Sequence, residues 1–300
     1  MNLHRLDLVS LSLFSQVVRS GSISKGALAA HLAVGAASKR ISDLEAAVGT
    51  ALLERHARGV TPTAAGNALA HHAQRILSDV NLLAAELHDH ASGIVGVARL
   101  WANTSAITQF LPADIAAFSK ATPAIRIELE ELNSNEIVLG VLEGRADIGI
   151  FADRTPALGL QLMNYREDRL VLVVPGGHPL ARRRTLAFDE ALDYDFVSLS
   201  QGTSLARRLE AETDAMGRRL KLRIQVRSFD AMCQMVAAGL GVAVLPADAV
   251  RAIVRSLDLR QIPLKDSWAR RQLLIGVRDL ETLPRHARQL VEHLAQSPQT

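Results

Sequence analysis

Hydroxyls and cations share the short run Ser38-Lys39-Arg40-x-Ser42, and a second basic cluster, Arg55-His56-x-Arg58, follows it. Side chains of these types donate hydrogen bonds and carry positive charge, which is what contact with phosphates and base edges requires. Further along, three segments place hydroxyls or amides where a strand gives way to a helix: Asn103-Thr104-Ser105, Ser198 to Ser204, and Ser228-Phe229-Asp230. Such positions either cap the helix or hold a polar or anionic ligand on unpaired backbone N–H groups. Singly, each reads as a cap; convergence of the three would favour a ligand.

Other chemistry finds little support. No nucleophile has a recognisable base beside it. Cys233 lies among Met232, Met235 and Val236 and reads as a buried, inert thiol. Asp147 resembles a charge at a strand start. Gly239-Leu240-Gly241 lacks the third glycine of a dinucleotide loop and precedes a strand, so it reads as a helix terminator. His71 and His72 are adjacent on a helix and cannot chelate by spacing, and His88 and His90 read as solvated or interfacial. No catalytic residue, metal site or resident cofactor is therefore expected.

The elements that must position the cationic clusters are helical. Leu8, Leu11, Phe14, Val17 and Val18 have helical spacing over Leu6 to Ser20, which ends at Gly21-Ser22. A short helix follows over Ser24 to Leu32, the chain turns at Val34-Gly35, and Ala36 to Val48 forms a third helix. Its inward stripe is Ala37, Ile41, Leu44 and Val48, leaving Ser38, Lys39, Ser42 and Asp43 nearer the other face. Two short helices joined by a brief turn make a helix-turn-helix, with small residues at Ala29, Ala33 and Ala37 for a close crossing. Arg55 to Gly59 then forms a polar tip before Val60-Thr61, read as a small wing.

From Thr63 to His90 runs a long helix capped by Thr61 or Thr63. Leu69, Ala73, Ile76, Val80, Leu83 and Leu87 are spaced four, three, four, three and four apart, close to a heptad seam. Such a seam serves dimerisation or packs on the chain's own body. Beyond Gly93 strands and helices alternate: strands at 96–100, 125–130 and 146–151, then 170–174, 195–198, 222–226 and 241–245, with helices between. This pattern predicts a mostly parallel sheet covered by helices, in two α/β units with a cleft between them. The reading is a multidomain α/β chain: a DNA-binding unit over 1–66, a linker helix over 63–91, and a ligand-binding region over 93–300.

Composition sets the outer bounds. Three hundred residues, 48% apolar and 22% charged, suffice for more than one filled core, and the formal charge of +3 does not by itself mark a nucleic-acid binder. The single cysteine excludes an internal disulfide framework. No secretion signal is recognisable, and the weakly polar run from Ala231 to Ala247 is broken by Gln234, two glycines and Pro246. A reducing cytoplasm and no membrane partner are expected.

The whole chain resembles the LysR-type transcriptional regulators of bacteria. The strongest part is the run Gly21-Ser22-Ile23, Ala27, Ala29-Ala30, Ser38-Lys39, Ile41, Leu44-Glu45, Gly49, Leu52-Leu53, Arg55, Arg58 and Thr63-x-Ala65-Gly66. Downstream support comes from Leu142-Glu143-Gly144-x-x-Asp147-Ile148-Gly149-Ile150, Leu170 to Pro175 with Gly177-His178-Pro179-Leu180, and Val236 to Pro246. The resemblance implies a winged helix-turn-helix, a dimerising linker helix and an effector domain like a type 2 periplasmic binding protein. In that reading subdomain I covers about 93–161 and 268–300, and subdomain II about 162–267. It further implies a homodimer, commonly assembled to a homotetramer, on double-stranded DNA, with RNA polymerase as a partner if the regulator activates.

By this resemblance the DNA-facing set is Ser22, Ser24, Ala33, Val34, Ala36, Ser38, Lys39, Arg40, Ser42, Arg55 and Arg58, and the effector contacts are Thr104, Ser105, Ser200, Gln201, Thr203 and Phe229. One departure matters. Many relatives carry Ser-Gln where this chain has Ala33-Val34, so a bidentate reading of adenine is replaced by apolar contact, and direct readout should lean on Ser38, Lys39, Arg40 and Ser42. Arg55 and Arg58 would hold the wing on phosphate or in the minor groove. Beside a regulator controlled by an unidentified small-molecule effector, the same residues admit a solute-binding protein, or an enzyme working in the cleft around Ser200 or Cys233.

Overall fold

Asp7 starts the first helix. Its carboxylate accepts the Ser10 N–H and the Ser10 hydroxyl, both at 2.9 Å, so the first turn of α1 (Leu8–Ser20) is closed by a side chain. In the computed structural model, the described residues are 6–56, 59–92 and 96–296; within 59–92, the side chains of residues 78, 81, 82 and 84–92 are not described. The chain divides into two units, essentially residues 1–93 and the remainder.

In the first unit α2 (Ile23–Ala29) and α3 (Val34–Val48) follow α1. The wing is the antiparallel pair β1 (Leu53–His56) and β2 (Gly59–Pro62), and α4 (Ala64–Ser92) comes last. Leu13, Phe14, Val17, Ala27, Ala37, Ile41 and Leu44 fill one core with Leu52, Leu53 and Val60 of the wing. The close helix approach rests on Gly26, where a Cβ would stand 2.5 Å from the Val17 side chain. Of the small residues expected at the crossing, Ala37 is buried but Ala29 and Ala33 face solvent. Thr63 is the cap of α4: its hydroxyl accepts the Gly66 N–H at 3.0 Å and donates to the Ala51 carbonyl at 2.8 Å.

In the second unit β3 (Gly96–Ala102), β4 (Ile125–Glu131) and β5 (Ile148–Ala152) run parallel, with α5 (Thr104–Gln109), α6 (Leu111–Ala121) and α7 (Ser134–Leu142) between them. The long strand β6 (Gln161–Pro175) comes next, then β7 (Phe196–Leu199), α8 (Ser204–Ala215), β8 (Leu222–Val226), α9 (Phe229–Ala237) and β9 (Ala243–Pro246). The chain closes with α10 (Arg251–Ser256), β10 (Leu259–Pro263), β11 (Arg270–Val277) and α11 (Arg285–Gln296). The main sheet has the order β10-β6-β11-β5-β3-β4, β9 also pairs with β6, and β7-β8 form a small parallel pair.

The sheet is mixed where a mostly parallel one was expected. β11 is antiparallel to both β5 and β6, and β9 and β10 are antiparallel to β6. Alternating strand and helix segments record neither the return of β11 nor the length of β6. The first half of β6 carries Asn164, Arg166, Glu167 and Asp168, which conceal a strand from any apolar pattern. Met163 and Tyr165 on that half pack with Ala98, Leu100, Ile148 and Leu273, whereas from Leu170 onward the chain packs with Phe188, Val197 and Leu245. Trp268 and Ala269 still belong to the second core. The crossings therefore lie at Arg169–Leu170 and Ala269–Arg270, so the outward one comes later than the boundary near Leu162 drawn from the resemblance.

Candidate nucleic-acid interface and ligand cleft

Ala33 is the N-cap residue of α3 and offers no side-chain cap, so the helix begins earlier than the Ala36 start read from the sequence. Ala33, Val34 and Ala36 are exposed, and Val34 retains 49% of its surface. Lys39, Ser42 and Asp43 lie on the exposed face and Ser38 is half-buried beside them, while Ala37, Ile41 and Leu44 face the core. An N-terminus with free backbone donors, followed by a cation and hydroxyls on one face, suits a groove lined by phosphates.

Arg40 departs from its expected role. Its guanidinium Nη1 donates to Asp7 Oδ2 at 3.2 Å and to Ser10 Oγ at 3.1 Å, so it ties α3 to the cap of α1. The helical wheel places it on the flank, within reach of α1. Partial burial would raise the Asp7 carboxyl, but the hydrogen bonds from Ser10 and the Arg40 charge outweigh it and hold the group below its ordinary value. Ser22 caps α2 by accepting the Lys25 N–H at 3.4 Å, and Ser24 is exposed. Arg55 is exposed on β1, and Arg58 lies outside the described residues. Glu45 gave no separate signal, yet its Oε1 accepts the Leu52 and Leu53 N–H groups at 2.9 and 3.2 Å and fixes the start of the wing to α3.

The predicted dimer seam splits. Ala73 is fully buried and Leu69 packs with the core of the DNA-binding unit, so both serve the chain's own fold along the face where α4 lies on α1. Ile76, Val80 and Leu83 expose 44%, 37% and 55% of their surface. Leu87 lies in α4, but its side chain is outside those described.

In the second unit the polar segments converge. Asn103, Thr104 and Ser105 at the start of α5 meet Thr203 and Ser204 at the start of α8, and Phe229 at the start of α9, around a narrow cleft with ≈ 20 Å³ open to solvent. That is room for about one water. Leu132, Asn133 and Ser134 also line it, a segment missed in the sequence although it too joins a strand to a helix. The lips approach closely: a Cβ on Gly202 would lie 4.0 Å from Asn133 Nδ2.

The side chains here are partly committed. Asn103 Oδ1 caps α5 by accepting the Ala106 N–H at 2.9 Å, but its buried Nδ2 has no acceptor. The Thr104 hydroxyl donates to Glu131 at 2.6 Å and the Thr203 hydroxyl to the Ser200 carbonyl at 3.2 Å. Ser200 does not line the cleft, because its hydroxyl turns to the Val226 carbonyl at 3.2 Å; Gln201 is exposed on the adjoining turn, also outside the lining. Phe229 is 4% exposed and is chiefly a core residue presenting an edge to the cleft.

Beside it opens a larger cavity of ≈ 500 Å³ between the segment after β5, with Asp153, Arg154 and Thr155, and the face of α8 carrying Ser204, Arg207 and Arg208. Arg271 of β11 reaches its floor. Burial, and then the neighbouring Arg154 charge, lower the Arg208 guanidinium from its ordinary value. These arginines follow the same strand-end logic as the hydroxyls but were not singled out in the sequence. Cys233 is fully buried, and burial followed by Asp230 pushes its thiol up to about 11, which fits the inert reading. Asp147 accepts the Arg99 N–H at 2.8 Å and pairs with its guanidinium at 2.7 Å, a structural role.

Comparison with known proteins accounts for both units. Residues 8–67 match the family described as bacterial regulatory helix-turn-helix protein, lysR family, and residues 91–299 match the LysR substrate binding domain. The chain is 26% identical over 259 residues to a probable HTH-type transcriptional regulator, LrrA, of Synechococcus elongatus, covering 86% of this chain and 87% of that one. Its fold is similar to full-length CbnR in complex with its target DNA, with a TM-score of 0.67 at 22% identity, covering 97% of this chain and 100% of that one. The second unit is similar to the regulatory domain of Synechocystis CcmR in complex with 2-PG, with a TM-score of 0.62 at 18% identity, covering 68% of this chain and 100% of that one. No described helix is long and apolar enough to cross a membrane.

Proposed function

The chain belongs to the LysR family of bacterial regulators, and from that premise we propose that it acts as a DNA-bound oligomer whose two DNA-binding pairs move relative to one another when a small acceptor-bearing effector closes the cleft. It is a DNA-binding transcriptional regulator under effector control. The observation that carries the effector reading is the convergence of Asn103, Ser134, Thr203 and Phe229 on one cleft, with the Asn103 Nδ2 buried and lacking an acceptor. A buried donor without a partner costs about 1–3 kcal/mol, so a carboxylate or carbonyl oxygen that fills that place is bound with a gain.

On DNA, Lys39, Ser38 and Ser42 contact the major groove from the exposed face of α3, with Val34 and Ala36 offering apolar contact to thymine methyls. Ser24 at α2 and Arg55 and Arg58 of the wing hold phosphates. Ser22 contributes through its cap. Ile76, Val80, Leu83 and Leu87 join two copies along α4, and pairs of dimers make the tetramer. A ligand that favours the closed cleft over the open one biases that packing by its differential affinity, and no bond is broken. No resident cofactor enters the reading, and RNA polymerase is engaged only where the operator position makes the protein an activator.

The experiment is selection of bound fragments from the source genome with the purified full chain, sequenced at two salt concentrations. A few dyad-symmetric intergenic sites are the expected result, and genes beside them name the effector class. Uniform, strongly salt-sensitive binding would overturn sequence-specific readout.

A further inference from the structure

The ≈ 500 Å³ chamber beside the cleft has room for a small metabolite, whereas the cleft itself holds about one water. The two meet at Ser204, which lines both. Most polar groups inside the chamber are engaged, so the donors left over define what it can take.

Arg271 shows this most clearly. Its side chain is only 3% exposed, and its Nε and Nη2 are taken by Asp168 and Ser105. Nη1 has no acceptor among the described residues and is not closed off from solvent, so the open remnant of this side chain gives onto the chamber that it lines. Arg208 of α8, on the same lining, repeats the pattern with a side chain 9% exposed. Its Nε faces Glu212 at 3.1 Å, Nη2 donates to the Trp268 carbonyl at 3.1 Å, and Nη1 is open and without an acceptor. Thr155 is buried, yet its hydroxyl is open and makes no hydrogen bond among the described residues; the Ser204 hydroxyl is in the same position. These four donors border one space.

The charges divide between interior and mouth. Glu212 serves both Arg208 and, at 3.6 Å, Arg154, so one carboxylate is shared by two guanidiniums and the interior keeps an excess of positive charge. Burial, and then the Arg154 charge, make the Arg208 cation costly, and an anion beside it offsets the second of these. At the mouth, Asp153, Glu210 and Asp214 are exposed and form no ion pair among the described residues. Arg207 stands with them but donates to the Gly202 carbonyl at 3.1 Å.

We propose that this chamber is a ligand site for a small monocarboxylate. The carboxylate accepts from Nη1 of Arg208 and Arg271 and from the hydroxyls of Thr155 and Ser204. The body of the ligand extends to the mouth, where Asp153, Glu210 and Asp214 reject a second anionic group. The assignment does not rest on the effector reading of the cleft.

Equilibrium dialysis of the full chain with radiolabelled acetate, butyrate and benzoate, and in parallel with succinate, tests it. Saturable binding of one molecule per chain is expected for at least one of the three monocarboxylates and not for succinate. Arg208→Gln should weaken that binding by about tenfold, and Thr155→Val, which keeps the side-chain volume, by about fivefold. Asn103→Leu in the cleft should leave it unchanged. The triple variant Asp153→Asn, Glu210→Gln, Asp214→Asn should admit succinate. No saturable binding of any monocarboxylate, or binding insensitive to both Arg208→Gln and Thr155→Val, overturns the proposal. Loss of binding in Asn103→Leu alone places the carboxylate in the cleft and overturns it too, and succinate binding to the wild type as tightly as a monocarboxylate overturns the selection at the mouth.

Discussion

Arg271 donates to the Ser105 hydroxyl at 3.1 Å, joining the helix that lines one lip of the cleft to the strand that carries the chain back between subdomains. The same guanidinium forms a bidentate pair with Asp168, its register partner on β6, and Gln109 of α5 donates to that carboxylate at 3.2 Å. Arg271 and Asp168 are 4% and 3% exposed. The start of α5 and both crossover strands thus share one buried network, and any ligand that displaces α5 also acts on the strands about which the subdomains are joined.

Arg271→Leu should lower the stability of the effector domain by about 3–5 kcal/mol, because it leaves the Asp168 charge buried and unpaired. The double variant Arg271→Leu with Asp168→Leu should recover a substantial part of that loss in urea unfolding. Ser105→Ala should cost only about 1 kcal/mol. A single variant as stable as wild type would mean that water reaches Asp168.

On the DNA side, Lys39→Ala should reduce affinity for operator and random DNA and lower the slope of log K against log salt by about 1. Arg40→Ala should leave that slope nearly unchanged while lowering the melting temperature, since its charge is committed to Asp7. An equal drop in slope for the two variants would show that Arg40 leaves Asp7 on binding.

Asp7 contributes stability with a definite pH window. Its folded value lies below the ordinary 3.8, so its contribution is complete above that pH and is lost as the pH falls through the folded value. Asp7→Asn should therefore be less stable than wild type at pH 6, and in acid unfolding the gap should narrow as the pH is taken below 3.8.

Along α4, Leu83→Asp should weaken self-association in sedimentation at low concentration and leave the melting of the DNA-binding unit unchanged. Leu69→Asp should instead unfold that unit, because Leu69 packs in its core. The same outcome for both substitutions would refute the division of the seam.

Cys233 should resist iodoacetamide at neutral pH unless the chain is unfolded, since little thiolate exists for a group held near 11. Mass spectrometry of the alkylated protein with and without denaturant checks this; rapid native labelling would contradict its burial.

Helical spacing alone located α1, the helix-turn-helix and α4, because one buried face per helix repeats at a fixed period whatever the partner. The residues at strand-to-helix junctions were legible for a like reason: Asn103, Thr203 and Ser228 each cap the following helix by a local hydrogen bond. What the period cannot encode is which neighbour a face meets. Leu69 and Leu83 occupy equivalent places in one seam, yet α1 covers the first and leaves the second exposed. Arg40 stands among groove-facing residues in sequence and is taken by Asp7 across 33 positions. The polar half of β6 is a strand only because β11 returns beside it, and Asn103, Ser134 and Thr203 become one cleft only because the sheets set their helix starts together. Local hydrogen bonding and burial period are written in adjacent residues, whereas pairing, register and convergence depend on contacts between distant ones, and those the tertiary structure decided.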